Sequence, residues 1–317
     1  MQSSKKDQIL FSVIILTYNN TEYLFGLLDS LFKQTYNNIE LIISDDASTS
    51  FDMNKIDSYI KSNKKNNIVS YQIIIRKKNA GTVKNINGAL KRCNGEVIKL
   101  IAADDAFYND NVIENFVEYY KENSALIYIT RIEICDIALN IINKNNAFSY
   151  DEIKKLLIVN KYERFDYACR FEVQPPFPGL FFTKKFFDLN GYLDEEYILS
   201  DGAALWYKLI RENYDIDYCD IVSVRYRTGS GISTQKKKNP RMEKDLKLLY
   251  EKEILKYKKM LSKKTLKKCM FTYCRRYQFE NYTFVNKIEF IIKNFNFYFV
   301  LIFKILKNKL LTLLKIE

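Results

Sequence analysis

The 317-residue chain contains no histidine. This removes every mechanism built on a Ser-His or Cys-His pair and every imidazole metal ligand, so proton transfer must fall to carboxylates, lysine or tyrosine. Cysteine is sparse: Cys93, Cys135, Cys169, Cys219, Cys269 and Cys274 lie far apart except for one C-x4-C pair, which is not a zinc spacing. Scattered thiols, and an N-terminal "MQSSKKDQIL" without the apolar segment that directs export, imply a reducing, cytosolic setting. Long hydrophobic runs are missing too. The longest in the C-terminal region, from Phe297 to Phe303, falls far short of the ~20 residues that cross a bilayer.

What is present is a foldable composition, 47% hydrophobic and 28% charged, enough for one large domain or two ordinary ones. A formal net charge of +12 favours anionic partners: nucleotide phosphates, acidic lipid headgroups or nucleic acid.

The first 130 residues alternate strand-like and helix-like patterns. "FSVIILTYNN" is an apolar run closed by a polar turn, as in a strand buried on both faces. Thr21 is placed to cap a helix carrying Leu24, Leu27, Leu28, Leu31 and Phe32 on one side. "IELIISDDAS" repeats the theme; a helix through Ile56 and Ile60, the strand "IVSYQIII", a helix near Val83–Cys93 and the strand "EVIKLI" follow. This alternation predicts an α/β fold of right-handed βαβ units on a mostly parallel sheet, with ligand groups gathered beyond the strands' carboxyl ends. Three such ends read "TYNN", "SDDAS" and "AADDA" and should converge on one crevice.

Residues 131–235 are less periodic and hold a rigid turn, "QPPFPGLFF"; residues 236–317 are lysine-rich and helical, with apolar stripes. That last stretch is suited either to pack on the rest of the chain as solvated amphipathic helices or to lie in a membrane interface, its lysines toward anionic lipid. The acidic pair Asp104-Asp105, together with Asp45-Asp46 and Asn19-Asn20, offers hard oxygens at strand ends. Such oxygens suit Mg2+ or Mn2+, whose remaining ligands commonly come from substrate phosphates.

Three segments, "SVIILTYNN", "IELIISDDAS" and "KNAGTVKNINGALKRCNGEVIKLIAADDAF", are similar in order and spacing to the N-terminal half of the family 2 glycosyltransferases of the GT-A fold. The resemblance implies a catalytic domain over 1–235, with a nucleotide-binding half (1–130) and an acceptor half (131–235). It implies that Thr17, Tyr18, Asn19 and Asp46 hold the uracil and ribose of a UDP-sugar, and that Lys84 helps bind the nucleotide, with Asn87 one turn on. It further places Asp104 at the ribose and Asp105 on the cation that accompanies the diphosphate. The first acid of a strict D-x-D is replaced by Ala103.

An inverting transferase needs a general base for the acceptor hydroxyl, and without histidine this is a carboxylate. The resemblance places it at the start of a helix in the second half. In "LNGYLDEEYILSDGAALWYKL" this points to Asp201, with Asp194, Glu195 and Glu196 as fallbacks and Trp206 as core or acceptor platform. In "VRYRTGSGIST", Arg225 and Arg227 lie where relatives close a loop over the diphosphate, with Gly229 and Gly231 following. The Q-x-x-R-W signature of processive synthases is absent, so one sugar per acceptor is expected. By class, the acceptor is a lipid-linked glycan at the inner face of a bacterial cytoplasmic membrane, in capsule, O-antigen or related surface-polysaccharide assembly, with no nucleic-acid partner. Two other readings of the charge and carboxylates are a nucleotidyltransferase, although "LTYNNTEYL" lacks a glycine-rich phosphate loop, and a basic nucleic-acid-binding protein.

Overall fold

In the computed structural model, which describes residues 8–142, 149–229 and 239–313, the apolar run Phe11–Thr17 forms β1 at the middle of an eight-stranded sheet. It pairs in parallel with β2 (Ile39–Asp45) and β4 (Val97–Ala102), and β2 pairs in parallel with the outer β3 (Ile68–Ile75). Strands flanked on both sides bury both faces, which is why β1 and β2 read as continuous hydrophobic runs. Their helices are α1 (Thr21–Phe32), α2 (Met53–Asn63) and α3 (Thr82–Leu90).

Beyond β4 come the two-residue β5 (Ala106–Phe107), α4 (Val112–Glu122), β6 (Ile127–Cys135), α5 (Tyr150–Ile158), α6 (Arg164–Phe171), β7 (Leu180–Thr183), α7 (Lys184–Asn190), α8 (Asp201–Arg211) and β8 (Ile216–Arg227). The sheet order is β3-β2-β1-β4-β7-β6-β8-β5, with β7 antiparallel to β4 and β6, and β5 antiparallel to β8. The parallel half and a mixed half thus share one sheet.

Side-chain alternation splits the core into two layers. Phe11, Val13 and Ile15 pack with the buried face of α1, whereas Ile14 packs with Val83 and Ile86 of α3 and with Trp206 of α8. The C-terminal helices are α9 (Pro240–Leu249), α10 (Lys263–Tyr277), α11 (Phe284–Lys293) and α12 (Phe295–Leu313). Leu249, Ile254, Leu261 and Cys269 enter the same buried cluster as Trp206, and a buried Arg211–Glu253 ion pair at 2.8 Å ties α8 to the turn after α9. Through Cys269 at least, the lysine-rich stretch therefore packs into the same core as the sheet and α8. No helix among the described residues is long and apolar enough to cross a membrane.

Candidate active site

The β1–α1 turn is built by its own asparagines. Asn20, not Thr21, stands at the N-cap of α1 and makes no side-chain cap bond. Its Oδ1 instead accepts from the Thr17 hydroxyl (2.8 Å) and the Tyr18 N–H (3.1 Å), while its Nδ2 donates to Asp104 at 3.3 Å. Asn19 takes a left-handed backbone (φ 53°), which asparagine tolerates. Its N–H donates to Ser48 Oγ at 2.8 Å and its Oδ1 accepts from Thr49 N–H at 3.0 Å, locking this turn to the one after β2. Asp45 is consumed by Ser48, leaving Asp46 to face the crevice. Tyr18 presents its ring at the rim, 41% exposed.

Asp46 joins that turn to α3. Its two oxygens accept the N–H groups of Ala80 (2.9 Å) and Gly81 (2.8 Å), with Arg76 Nε at 3.4 Å. Burial raises the carboxyl pKa while these donors oppose the rise. Gly81 has φ 93°, and a Cβ there would lie 2.5 Å from Ile198 Cγ2 and 2.6 Å from its carbonyl oxygen. Two expected residues lie elsewhere. Lys84 is on the solvent side of α3 and does not line the crevice. Asn87 is buried and braces the loop at Leu193, accepting its N–H at 3.0 Å and donating to its carbonyl at 2.9 Å and to Glu195 at 3.0 Å. The cation beside Asp46 is Arg76, directly after the end of β3.

At the end of β4, Asp105 is buried; Oδ1 accepts the Arg227 N–H at 3.0 Å, whereas Oδ2 is buried with no hydrogen-bond partner. Burial, reinforced by Asp104, pushes this carboxyl well above the usual carboxylate range. Beneath it Lys99, fully buried, donates to the Pro178 and Leu180 carbonyls and lies 4.3 Å from the Phe181 ring centroid; burial lowers its pKa to about 7.

The orphaned Oδ2 is the kind of hard oxygen a Mg2+ or Mn2+ ion takes. Among the described residues there is no cluster of three or more potential ligands, so the donor set fits a cation held by Asp105, beside Asp104, and completed by substrate oxygens.

Arg227 lines the crevice, but its guanidinium is engaged with the chain itself. Nε donates to the Asp104 carbonyl at 2.6 Å, Nη1 donates to the Ile137 carbonyl, and the group lies 4.3 Å from the Tyr23 ring centroid. Through these contacts it braces the acidic turn. Arg225 is exposed over Tyr108 and does not line the crevice. Gly229 is an exposed left-handed residue (φ 93°), and Gly231 lies outside the described residues.

Together these turns open onto a cavity of about 1020 Å³. Thr17, Tyr18, Asn19, Asp46, Asp104 and Asp105 all line it. The rest of its lining includes the "QPPFP" turn, Ser200, Gly202 and Tyr226, with Asn239–Met242 from the start of α9. Asp201 is the first residue of α8, between two wall residues; its side chain lies outside the described residues. The fallback acids are engaged: Asp194 and Glu196 with Lys252, Glu195 with Asn87. Trp206 is core, its Nε1 donating to the Val173 carbonyl at 2.8 Å. Sequence reasoning missed Arg76 and also Arg241, which lines the cavity and donates to Asn79 at 3.1 Å.

The profile described as Glycosyl transferase family 2 matches residues 12–187. A curated, uncharacterized glycosyltransferase of Rickettsia felis is 26% identical over 64% of this chain and 31% of its own length. Glycosyltransferase GlyG of Streptococcus pneumoniae is 28% identical over 45% of this chain and 40% of its own length. The chain therefore spans less than half the length of each of these two curated relatives. Among solved structures, Staphylococcus aureus TarS 1-349 superposes over 90% of this chain and 78% of its own, with a TM-score of 0.57 at 18% identity. The same TarS fragment was solved with UDP-GlcNAc, and a Pyrobaculum calidifontis mannosyltransferase (TM-score 0.54, 15% identity, 78% of this chain and 64% of that one) with GDP-Man and Mn2+. The fold is of the GT-A type, and the chain belongs to glycosyl transferase family 2.

Proposed function

We propose that this family member moves one sugar from a UDP-sugar to a hydroxyl of a lipid-linked or oligosaccharide acceptor, with inversion, during assembly of a bacterial surface polysaccharide. The observation that carries the reading is Asp105 Oδ2, a buried carboxyl oxygen without a hydrogen-bond partner, on a residue that lines the same cavity as Thr17, Tyr18, Asp46 and Asp104. In this reading Tyr18 and Asp46 hold the base, Thr17 and Asn19 hold the turn against it, and Asp104 takes the ribose. Asp105 would hold Mn2+ or Mg2+, which offsets the charge of the departing diphosphate when bound. Asp201 accepts the proton of the acceptor hydroxyl as that oxygen attacks the anomeric carbon from the face opposite the leaving diphosphate. Its position in the chain, between the cavity-lining Ser200 and Gly202 at the start of α8, supports the assignment. Asp201→Asn should retain UDP binding and lose transfer; transfer at the parent rate would overturn the base assignment.

Within the same proposal, α11 and α12 rest on a membrane surface. Phe271 of α10 stacks on Phe290 and Phe297 from the inner side, at 5.8 and 5.1 Å between centroids, while Phe284, Val285, Ile292, Phe295, Phe299 and Phe303 are exposed. Lys287 and Lys293 flank these side chains, a pattern suited to anionic headgroups.

A further inference from the structure

Asp245 lies in the stretch that composition sets apart as a basic helical extension, yet it is 1% exposed. A single oxygen, Oδ2, accepts three successive backbone N–H groups, from Ile198 (2.9 Å), Leu199 (2.6 Å) and Ser200 (2.9 Å). Consecutive N–H groups converging on one anion form a nest, and here the anion is a carboxylate from a helix 45 residues or more further along the chain. Without it, three buried or half-buried donors would lose their partner at once.

These three residues lead directly into Asp201, the first residue of α8. The same loop is held from its other side, where the Ile198 carbonyl accepts from Val83 N–H at 3.3 Å and Gly81 approaches Ile198 too closely for a Cβ to fit between them. Just beyond, Gly202 packs against Phe177, with a would-be Cβ 2.9 Å from the Phe177 Cβ. The entry to α8 is thus wedged between α3, the proline-rich turn and α9, and Asp245 supplies its hydrogen bonds from the α9 side.

We infer that Asp245 is a positioning residue for transfer: it sets the entry of α8 so that residue 201 meets the acceptor hydroxyl. This rests on the reading of Asp201 as the base. Because Asp245 does not itself line the cavity, its effect falls on turnover and not on nucleotide affinity. A displaced catalytic group costs up to about a hundredfold in rate.

The test compares Asp245→Ala, Asp245→Asn, Asp201→Asn and the Asp201→Asn/Asp245→Ala double variant by kcat, UDP affinity and amide exchange at 198–200. The expected result is a kcat loss of about ten- to a hundredfold in Asp245→Ala, unchanged UDP affinity, and faster exchange at the three amides. Asp245→Asn, which keeps an oxygen acceptor without the charge, should recover part of the rate, and it carries the test if Asp245→Ala does not fold. The double variant should be no slower than Asp201→Asn alone. A kcat loss matched by an equal loss of UDP affinity, or losses that multiply in the double variant, would make Asp245 merely structural and overturn the inference. If Asp201→Asn is inactive while Asp245→Ala and Asp245→Asn turn over at the parent rate, only the inference on Asp245 fails. If Asp201→Asn itself transfers at the parent rate, the base reading fails and takes the inference with it.

Discussion

Replacing Gly81 by alanine perturbs both walls of the cleft through one methyl group. The backbone at Gly81 (φ 93°, ψ 162°) lies in a region essentially reserved for glycine, and imposing a side chain there costs about 1–3 kcal/mol. The added Cβ would lie 2.5 Å from Ile198 Cγ2 and 2.6 Å from the Ile198 carbonyl oxygen. The first contact could yield by a rotamer change; the second is backbone and cannot, adding about 1–3 kcal/mol of overpacking. The sum, about 2–6 kcal/mol, is a large share of an ordinary domain's stability. Relief requires Ile198 to move, which shifts the lead into α8, or Gly81 to move, which breaks the N–H donated to Asp46. Both transfer and UDP affinity should therefore fall. Gly26, in the middle of α1 with nothing within 4 Å of a would-be Cβ, is the control; Gly26→Ala should gain about 0.5–1 kcal/mol from helix propensity. Guanidinium titration and a transfer assay on both variants make the check. A Gly81→Ala protein with the parent's midpoint and rate would show that the α3–loop contact is not as described.

Lys99 has a depressed pKa, about 7 when folded against 10.5 when free, so between those values the unfolded chain binds a proton that the folded chain does not. Stability should therefore rise with pH across that window, with a slope below about 1.4 kcal/mol per unit. Lys99→Met should flatten this slope, as read by denaturant titration at pH 7.5 and 9.5; equal slopes in both proteins would refute the burial argument. The α11–α12 hairpin should sediment the protein with phosphatidylglycerol vesicles and not with phosphatidylcholine vesicles. Raised salt should weaken that binding, since each surface lysine contributes about 1 kcal/mol electrostatically. Serine at Phe295, Phe299 and Phe303 should abolish it, and unchanged sedimentation would remove the membrane role.

The parallel half of the sheet was readable because strands buried on both faces must be apolar throughout, and the acidic turns stood out because charge follows such runs abruptly. The site's basic partners were not readable in the same way. Lys84 falls on the outward side of α3, while Arg76, at a strand end, turns toward Asp46. Helical spacing held the signal for Asn87, which shares a face with Val83, Ile86 and Leu90 and is buried with them. The bracing role of Arg227 was hidden because nothing local reveals that the Asp104 and Ile137 carbonyls take its donors. Asp245 was hidden in a lysine-rich run, although Leu249, one turn further along the same helix face, is buried beside it.

The most direct measurement is calorimetric titration of the protein with UDP, with and without Mn2+, repeated on Asp105→Ala. Binding that requires both the cation and Asp105 is the predicted result. UDP binding that is indifferent to Mn2+ and to Asp105→Ala, or no binding under any condition, would contradict the assignment of this cleft as a cation-assisted UDP-sugar site.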